Sequence, residues 1–411
     1  MNRTQCVNRS EAASRPHTVL TKVVAVALAV ASLASVTQPA VAGPREQAKR
    51  MYDRLTGTPP SPEVLTDIAA KAGSGSESDL TATALYIMDK SQAHSDGFYS
   101  VTLKNFATPW TNRDRDVFAP LNDYTATVIG YVKDDRDFRG ILFDDVLYIG
   151  NTGGAYSPSN NTMYENLESS NASLRTALVP AVQSNLNGLP PDATAGVITS
   201  RAASQAFFIA GTNRAMFRFT MLNHLCRDME QIADISLPPD RIRQDVTRSP
   251  GGDSSFFLNN CVGCHNVMDS MAQAFAYYNF DGAAGRLVYT QDQVQPKYLI
   301  NADNFKPGYV TPDDQWENRM RLRRTADQQT VLGWSESLPG KGKGAKSLGE
   351  ELARSNAFAE CQVEKVFRTV CFRSPSDSTD HGKVVNWAGE FKGTGNLKRV
   401  FAQTAAYCAG E

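Results

Sequence analysis

Three things are scarce in this sequence of 411 residues. One is net charge: 42 Lys+Arg stand against 43 Asp+Glu, a balance of −1. A chain built to hold nucleic acid favours a basic stripe, so no nucleic-acid partner is expected. Long apolar runs are the second. None exists outside residues 23–36, which excludes a polytopic membrane protein. Recognisable catalytic signatures are the third. The chain has no Ser-His-Asp arrangement, no phosphate-binding glycine loop, no HExxH and no internal repeat. What is present is an ordinary globular composition, 41% AVILMFWYC and 21% charged, enough for a substantial core and two or three structural units.

Residues 1–42 read as an export signal. Arg3, Arg9, Arg15 and Lys22 form a positive stretch, Val23 to Val36 an apolar one, and Ala40-Val41-Ala42 a small-residue cleavage site. The apolar stretch has 14 residues, whereas a spanning helix needs about 20. An uncleaved anchor is the alternative. Cleavage leaves a periplasmic or otherwise exported chain with no integral membrane segment and a net charge of −4.

Seven cysteines are present, and Cys6 leaves with the signal. Cys261-Val262-Gly263-Cys264-His265 is C-x-x-C-H, the attachment pattern of c-type haem. The chemistry needs each part. Two thiols add across the two porphyrin vinyl groups, and the spacing puts both sulfurs on one helical turn. His265 follows as proximal ligand to the iron. Three other readings exist. A thioredoxin-like pair needs a βαβ setting, but the flanks SSFFLNN and NVMDSMAQAFAYYNF read as helical. A zinc site needs a second close ligand pair. A plain disulfide makes His265 a coincidence. Cys226, Cys361, Cys371 and Cys408 remain, with three possible pairings. In an oxidising compartment one or two disulfides are expected, stapling the C-terminal region.

Along the chain, Pro44–Leu55 reads as a helix stopped by Gly57, and Ser61-Pro62-Glu63 starts another. Residues 124–132 and 141–149 fit helix or strand equally. Residues 196–234 read as one long helical stretch with Phe217, Met221 and His224 on one face, ended by Leu237-Pro238-Pro239. Met268, Met271, Phe275 and Tyr278 form another apolar helical face. Residues 340–344 (GKGKG) read as an exposed basic loop that could dock an acidic redox partner, and 347–371 as a final helical pair.

The string CVGCHNVMDSMAQAFAYYNFDGAAGR, preceded by Asn213-Arg214, Leu225-Cys226 and Leu237-Pro238-Pro239, resembles the cytochrome module of planctomycete-type cytochrome c proteins. Asp269, Phe280-Asp281-Gly282 and Arg286 match that pattern; Ser270-Met271-Ala272 departs from it, standing where the family has Pro and Gly. Arg54-Leu55-Thr56-Gly57 resembles the family's N-terminal helix start, and KSLGEELARSNAFAECQVEKVFRTVCFR its C-terminal helical domain. The resemblance implies haem and export rather than a defined reaction. The expected fold is mainly α. A signal over 1–42 precedes a helical N-terminal domain over 43–195, a cytochrome c-like haem module over 196–335 and a helical C-terminal region over 336–411.

The distal ligand decides the function. A six-coordinate iron suits electron transfer, and an open position admits a substrate. Met268 and Met271 lie too close after His265 to reach the far side of the ring. Met320, 55 residues on, has chain enough to wrap the ring, and His224 is the second candidate. Each also reads as an ordinary core residue, and an iron with no distal protein ligand is the third possibility. The expectation is one covalently attached haem c held by Cys261, Cys264 and His265, with Met320 or His224 completing the iron site. The function expected is periplasmic electron transfer to a redox partner protein. A haem enzyme of peroxidase or oxidase type, acting on a small molecule at an open iron, is the alternative. A scaffold stapled by haem is a third. No catalytic residue is assigned.

Overall fold

The computed structural model describes residues 42–209, 211–242, 254–299, 309–322 and 332–410. The expected signal over 1–42, apart from its last residue, and the turn expected at residues 249–252 lie outside them.

Helices begin where the chain supplies its own caps. Helix α1 (Pro44–Thr56) has Pro44 in its first turn and closes on Gly57, whose φ of 71° aims its N–H at the Asp53 carbonyl. Its Ala48, Met51, Tyr52 and Leu55 recur at helical spacing and are buried. Ahead of α2 (Pro62–Lys71), the Ser61 hydroxyl accepts from the Val64 N–H. Ser76 caps α3 (Glu77–Ile87) in the same way. The ambiguous segment 124–132 is helix α4 (Asp123–Lys133), capped by Asn122. Every residue of α4 is buried, which removes the polar face that makes a helix period visible. The second ambiguous segment divides into a 3₁₀ turn (Phe138–Leu142) and strand β1 (Val146–Gly150), which pairs antiparallel with β2 (Leu178–Val182).

The long helix expected over 196–234 is instead a series of short pieces. A 3₁₀ turn (Gly196–Thr199) leads to α5 (Arg201–Phe207), then α6 (Arg214–Thr220) and a π turn (Met221–Leu225). Two non-glycine residues break the run by adopting left-handed backbone, Asn213 at φ 57° and Cys226 at φ 54°. Each is held there by distant partners. The Asn213 amide donates to the carbonyls of Phe275 (3.0 Å) and Tyr278 (2.8 Å), and Cys226 is bonded to Cys361. Tertiary contacts override local helical preference here.

Helix α7 (Ser254–Asn260) leads through Cys261 into α8 (Val262–Ala272), which carries the C-x-x-C-H motif. The apolar face expected through Tyr278 stops short. Met268, Met271 and Phe275 are buried in α8 and the following turn, while Tyr278 opens β3 (Tyr278–Asp281), paired with β4 (Arg286–Tyr289). The supposed basic loop is also partly strand. Beside β5 (Gln315–Glu317) lies β6 (Lys341–Lys343), with Trp316 opposite Gly342. A Cβ on Gly342 would stand 3.0 Å from the Trp316 ring and 2.5 Å from the Ser347 hydroxyl, to which Trp316 Nε1 donates. The glycine thus lets the indole cross the strand.

The helical pair expected over 347–371 is α9 (Gly344–Ala353) and α10 (Asn356–Cys371), and two further helices follow it, α11 (Ser378–Thr394) and α12 (Leu397–Cys408). Helix α12 packs on α1 and α3, so both ends of the described chain share one layer, and α10 packs on α11 and α12. The fold is mainly α. One principal core includes Leu80, Phe217 and Val366, one from each expected segment. Two disulfides brace it: Cys226–Cys361 joins the π turn to α10, and Cys371–Cys408 joins α10 to α12, with Cα separations of 5.3 and 5.7 Å. No helix among the described residues is long and apolar enough to cross a membrane.

Candidate haem-attachment site

Cys261 is the residue before the first turn of α8, and its carbonyl accepts the His265 N–H at 3.2 Å. Cys261, Cys264 and His265 therefore lie at i, i+3 and i+4, on one helical face. All three are half-buried. Gly263 falls on the opposite face. It lies under the chain at 233–235, where a Cβ would meet Ala233 and Ile235 at 3.3 Å, and its carbonyl accepts the Asp234 N–H at 3.0 Å.

Cys261 and Cys264 are the only cysteines among the described residues outside a disulfide. Burial raises the Cys264 thiol above its ordinary value, and the Glu230 and Asp228 carboxylates push it the same way. Helix precedes and follows the motif, α7 and α8, in place of the strand-to-helix step of a thioredoxin-like pair.

Exposed apolar side chains lie near the motif in sequence and space. Ile235 is 82% exposed, Leu258 58% and Phe256 45%. Phe257, on α7, is buried with its ring centroid 5.6 Å from that of His265.

His265 is held through its Nδ1. Its Nδ1–H donates to both carboxylate oxygens of Asp269, each at 3.2 Å, since an ionised carboxylate only accepts. Asp269, one turn further along α8, is fully buried at its side chain. Arg214 on α6 grips it with two hydrogen bonds, Nε to Oδ1 at 2.8 Å and Nη2 to Oδ2 at 3.0 Å. Helix α6 packs on α8, which brings the guanidinium there. The next arginine of α6 is used elsewhere: Arg218 pairs with Asp228 at 2.6 and 2.7 Å.

The two distal candidates are placed differently. Met320 lies in a 3₁₀ turn (Arg319–Leu322) that packs against α8, and it is 1% exposed. Its neighbours clamp that turn. Arg319 bonds the Pro238 carbonyl and the Asp240 carboxylate, and Arg321 makes a bidentate pair with the buried Glu351 of α9 at 2.7 and 2.8 Å. His224 lies in the π turn after α6, with its ring partners on other elements. The Tyr124 hydroxyl shares a 2.7 Å hydrogen bond with its Nε2. Its ring stacks against Tyr124 and Phe358 and meets Trp110 edge-on. None of its ring partners among the described residues comes from α7 or α8.

That setting has a measurable consequence. Burial, helped by the Lys365 charge on α10, holds His224 well below the ordinary imidazole value. The folded chain therefore keeps His224 neutral while the unfolded chain takes up a proton below pH ~6.5. Stability contributed by this site is complete above pH ~6.5 and falls with pH by up to about 1.4 kcal/mol per unit. Urea unfolding at pH 7.5 and 5.5 should differ by roughly 1.4 kcal/mol more in the wild type than in His224→Gln. Equal pH dependence in both proteins would contradict this placement.

Sequence reasoning missed the Asp269–His265–Arg214 chain. The i, i+4 spacing of His265 and Asp269 was the available signal; the arrival of Arg214 depends on how α6 crosses α8. Also unforeseen was Lys365, buried with its Nζ 3.6 Å from the Trp110 ring centroid and bonded to the Asn223 carbonyl. Family models, curated proteins and solved structures give no match to this chain.

Proposed function

We propose that the chain is an exported c-type cytochrome carrying one covalent haem and passing electrons in the periplasm. One observation carries the reading. Among the described residues four cysteines form two disulfides, and the two left over are those of C-x-x-C-H, on one turn with a histidine whose Nδ1 is already engaged. Haem attachment needs that thiol pair unpaired and the other imidazole nitrogen available. The disulfides fit an oxidising compartment and so support export. The apolar side chains exposed at Ile235, Phe256 and Leu258 suit an apolar macrocycle.

In this reading Cys261 and Cys264 anchor the ring and His265 Nε2 ligates the iron. Asp269 and Arg214 hold the imidazole. Tyr124 occupies the Nε2 of His224, which keeps Met320 ahead of His224 as distal ligand. Bound haem iron supplies one-electron exchange between its ferric and ferrous states. A redox partner protein would deliver and collect those electrons.

A second reading, a haem enzyme with an open distal position, is favoured by the carboxylate on His265 Nδ1. Such a partner makes the proximal imidazole a stronger donor, which suits activation of a bound small molecule. Absorption spectra of the periplasmically matured protein separate the two. A low-spin spectrum unmoved by carbon monoxide in the reduced state is the expected result for a carrier. A high-spin spectrum that shifts with carbon monoxide moves the assignment to the enzyme. Absence of any haem signal removes both.

A further inference from the structure

We infer that Asp269 is a positioning residue that sets the donor strength of His265 and so holds the iron at a low reduction potential. The inference rests on the haem reading above. Its basis is the chain of contacts from α6 to α8: Arg214 to Asp269 at 2.8 and 3.0 Å, and Asp269 to His265 Nδ1 at 3.2 Å through both oxygens.

Each link has a physical role. The carboxylate sits four residues after His265 on α8, where the two side chains meet across one turn. Its side chain is fully buried, so water does not weaken the hydrogen bond. The guanidinium engages both oxygens, which fixes the carboxylate plane and supplies the opposite charge that a buried carboxylate requires. The imidazole is thereby confined to one tautomer and one orientation, with Nε2 as the ligand atom.

A negative acceptor on Nδ1–H leaves more electron density on the ring than a neutral carbonyl does. Greater density at Nε2 stabilises the ferric iron over the ferrous, and this lowers the potential. Arg214 limits the effect, because it draws on the same two oxygens.

A purely structural role must be distinguished, since Asp269 also ties α6 to α8. The test is therefore a potential, measured on the full-length matured holoprotein. In Asp269→Asn the acceptor oxygen and the side-chain size are kept while the charge is lost. At fixed solution potential the ferrous-to-ferric ratio should rise at least tenfold, a shift of ~59 mV for a one-electron couple. Asp269→Glu should recover part of the shift. A wild-type measurement covers the case in which Asp269→Asn does not mature. In the reduced, low-spin wild type, proton NMR reads the His265 Nδ1–H resonance. It should lie downfield of that of a ligand histidine bonded to a neutral acceptor. An unmoved potential in a fully haem-loaded Asp269→Asn, or a wild-type resonance in the neutral-acceptor range, overturns the inference. A wild-type protein without covalent haem overturns the cytochrome reading itself, and that outcome is visible before any titration.

Discussion

Exported protein carrying Cys261→Ser and Cys264→Ser together should lose covalent haem entirely, to below a tenth of the wild-type stain on a denaturing gel. The reason is chemical. A hydroxyl does not replace the thiol in adding to the porphyrin vinyl group, and no other free thiol exists among the described residues to take over. Each single replacement leaves one sulfur on the shared face of α8 and should retain a singly attached haem in reduced yield. His265→Ala keeps both sulfurs but removes the proposed iron ligand, so any haem it retains should show an altered spectrum. The four remaining cysteines are committed to two disulfides, so Cys371→Ser with Cys408→Ser serves as a control that keeps its haem. Covalent haem in the Cys261/Cys264 double variant would contradict the account.

The second large effect concerns stability. The Cys226–Cys361 bond closes a loop of 135 residues, against 37 for Cys371–Cys408. Constraining an unfolded chain over the longer loop contributes on the order of 4–5 kcal/mol in the chain-entropy picture, and removing a native disulfide usually costs about 2–5 kcal/mol. The native side adds to this. Cys226 holds a left-handed backbone at the end of the π turn, which packs on α10 beside His224 and Lys365. Cys226→Ala with Cys361→Ala should therefore lower urea stability by roughly 4 kcal/mol, more than the equivalent change at Cys371 and Cys408. A loss under about 1 kcal/mol would show that the cross-link is dispensable to the core.

Local chemistry was legible in the sequence, and distant pairing was not. Pro44, Ser61-Pro62 and Gly57 act on neighbours a few residues away, and the helix boundaries they imply agree with α1 and α2. Residues 196–234 misled because Asn213 and Cys226 take their conformation from Phe275, Tyr278 and Cys361, none of them nearby in sequence. Residues 341–343 read as loop because their strand exists only through pairing with 315–317. Burial of α4 on every side hid its period.

The same division holds at the site. The C-x-x-C-H spacing is local, so Cys261, Cys264 and His265 could be placed on one face in advance. Which of the other cysteines pair could not be read from their order, and three arrangements stood equal. Asp269 was visible as a motif residue but not as the partner of His265. The role of Arg214 required the packing of α6 on α8. His224 shared a spacing with Phe217 and Met221 that predicts a buried face, and a buried face alone does not say what lies against it. The structure puts Tyr124, Phe358 and Trp110 there.

The most direct test of covalent haem is the intact mass of the exported protein under denaturing conditions, where a non-covalent group is lost. The predicted result is the mass of the cleaved polypeptide with two disulfides plus one haem. A polypeptide mass without that addition, or one two hydrogens lighter through a third disulfide between Cys261 and Cys264, would contradict the account.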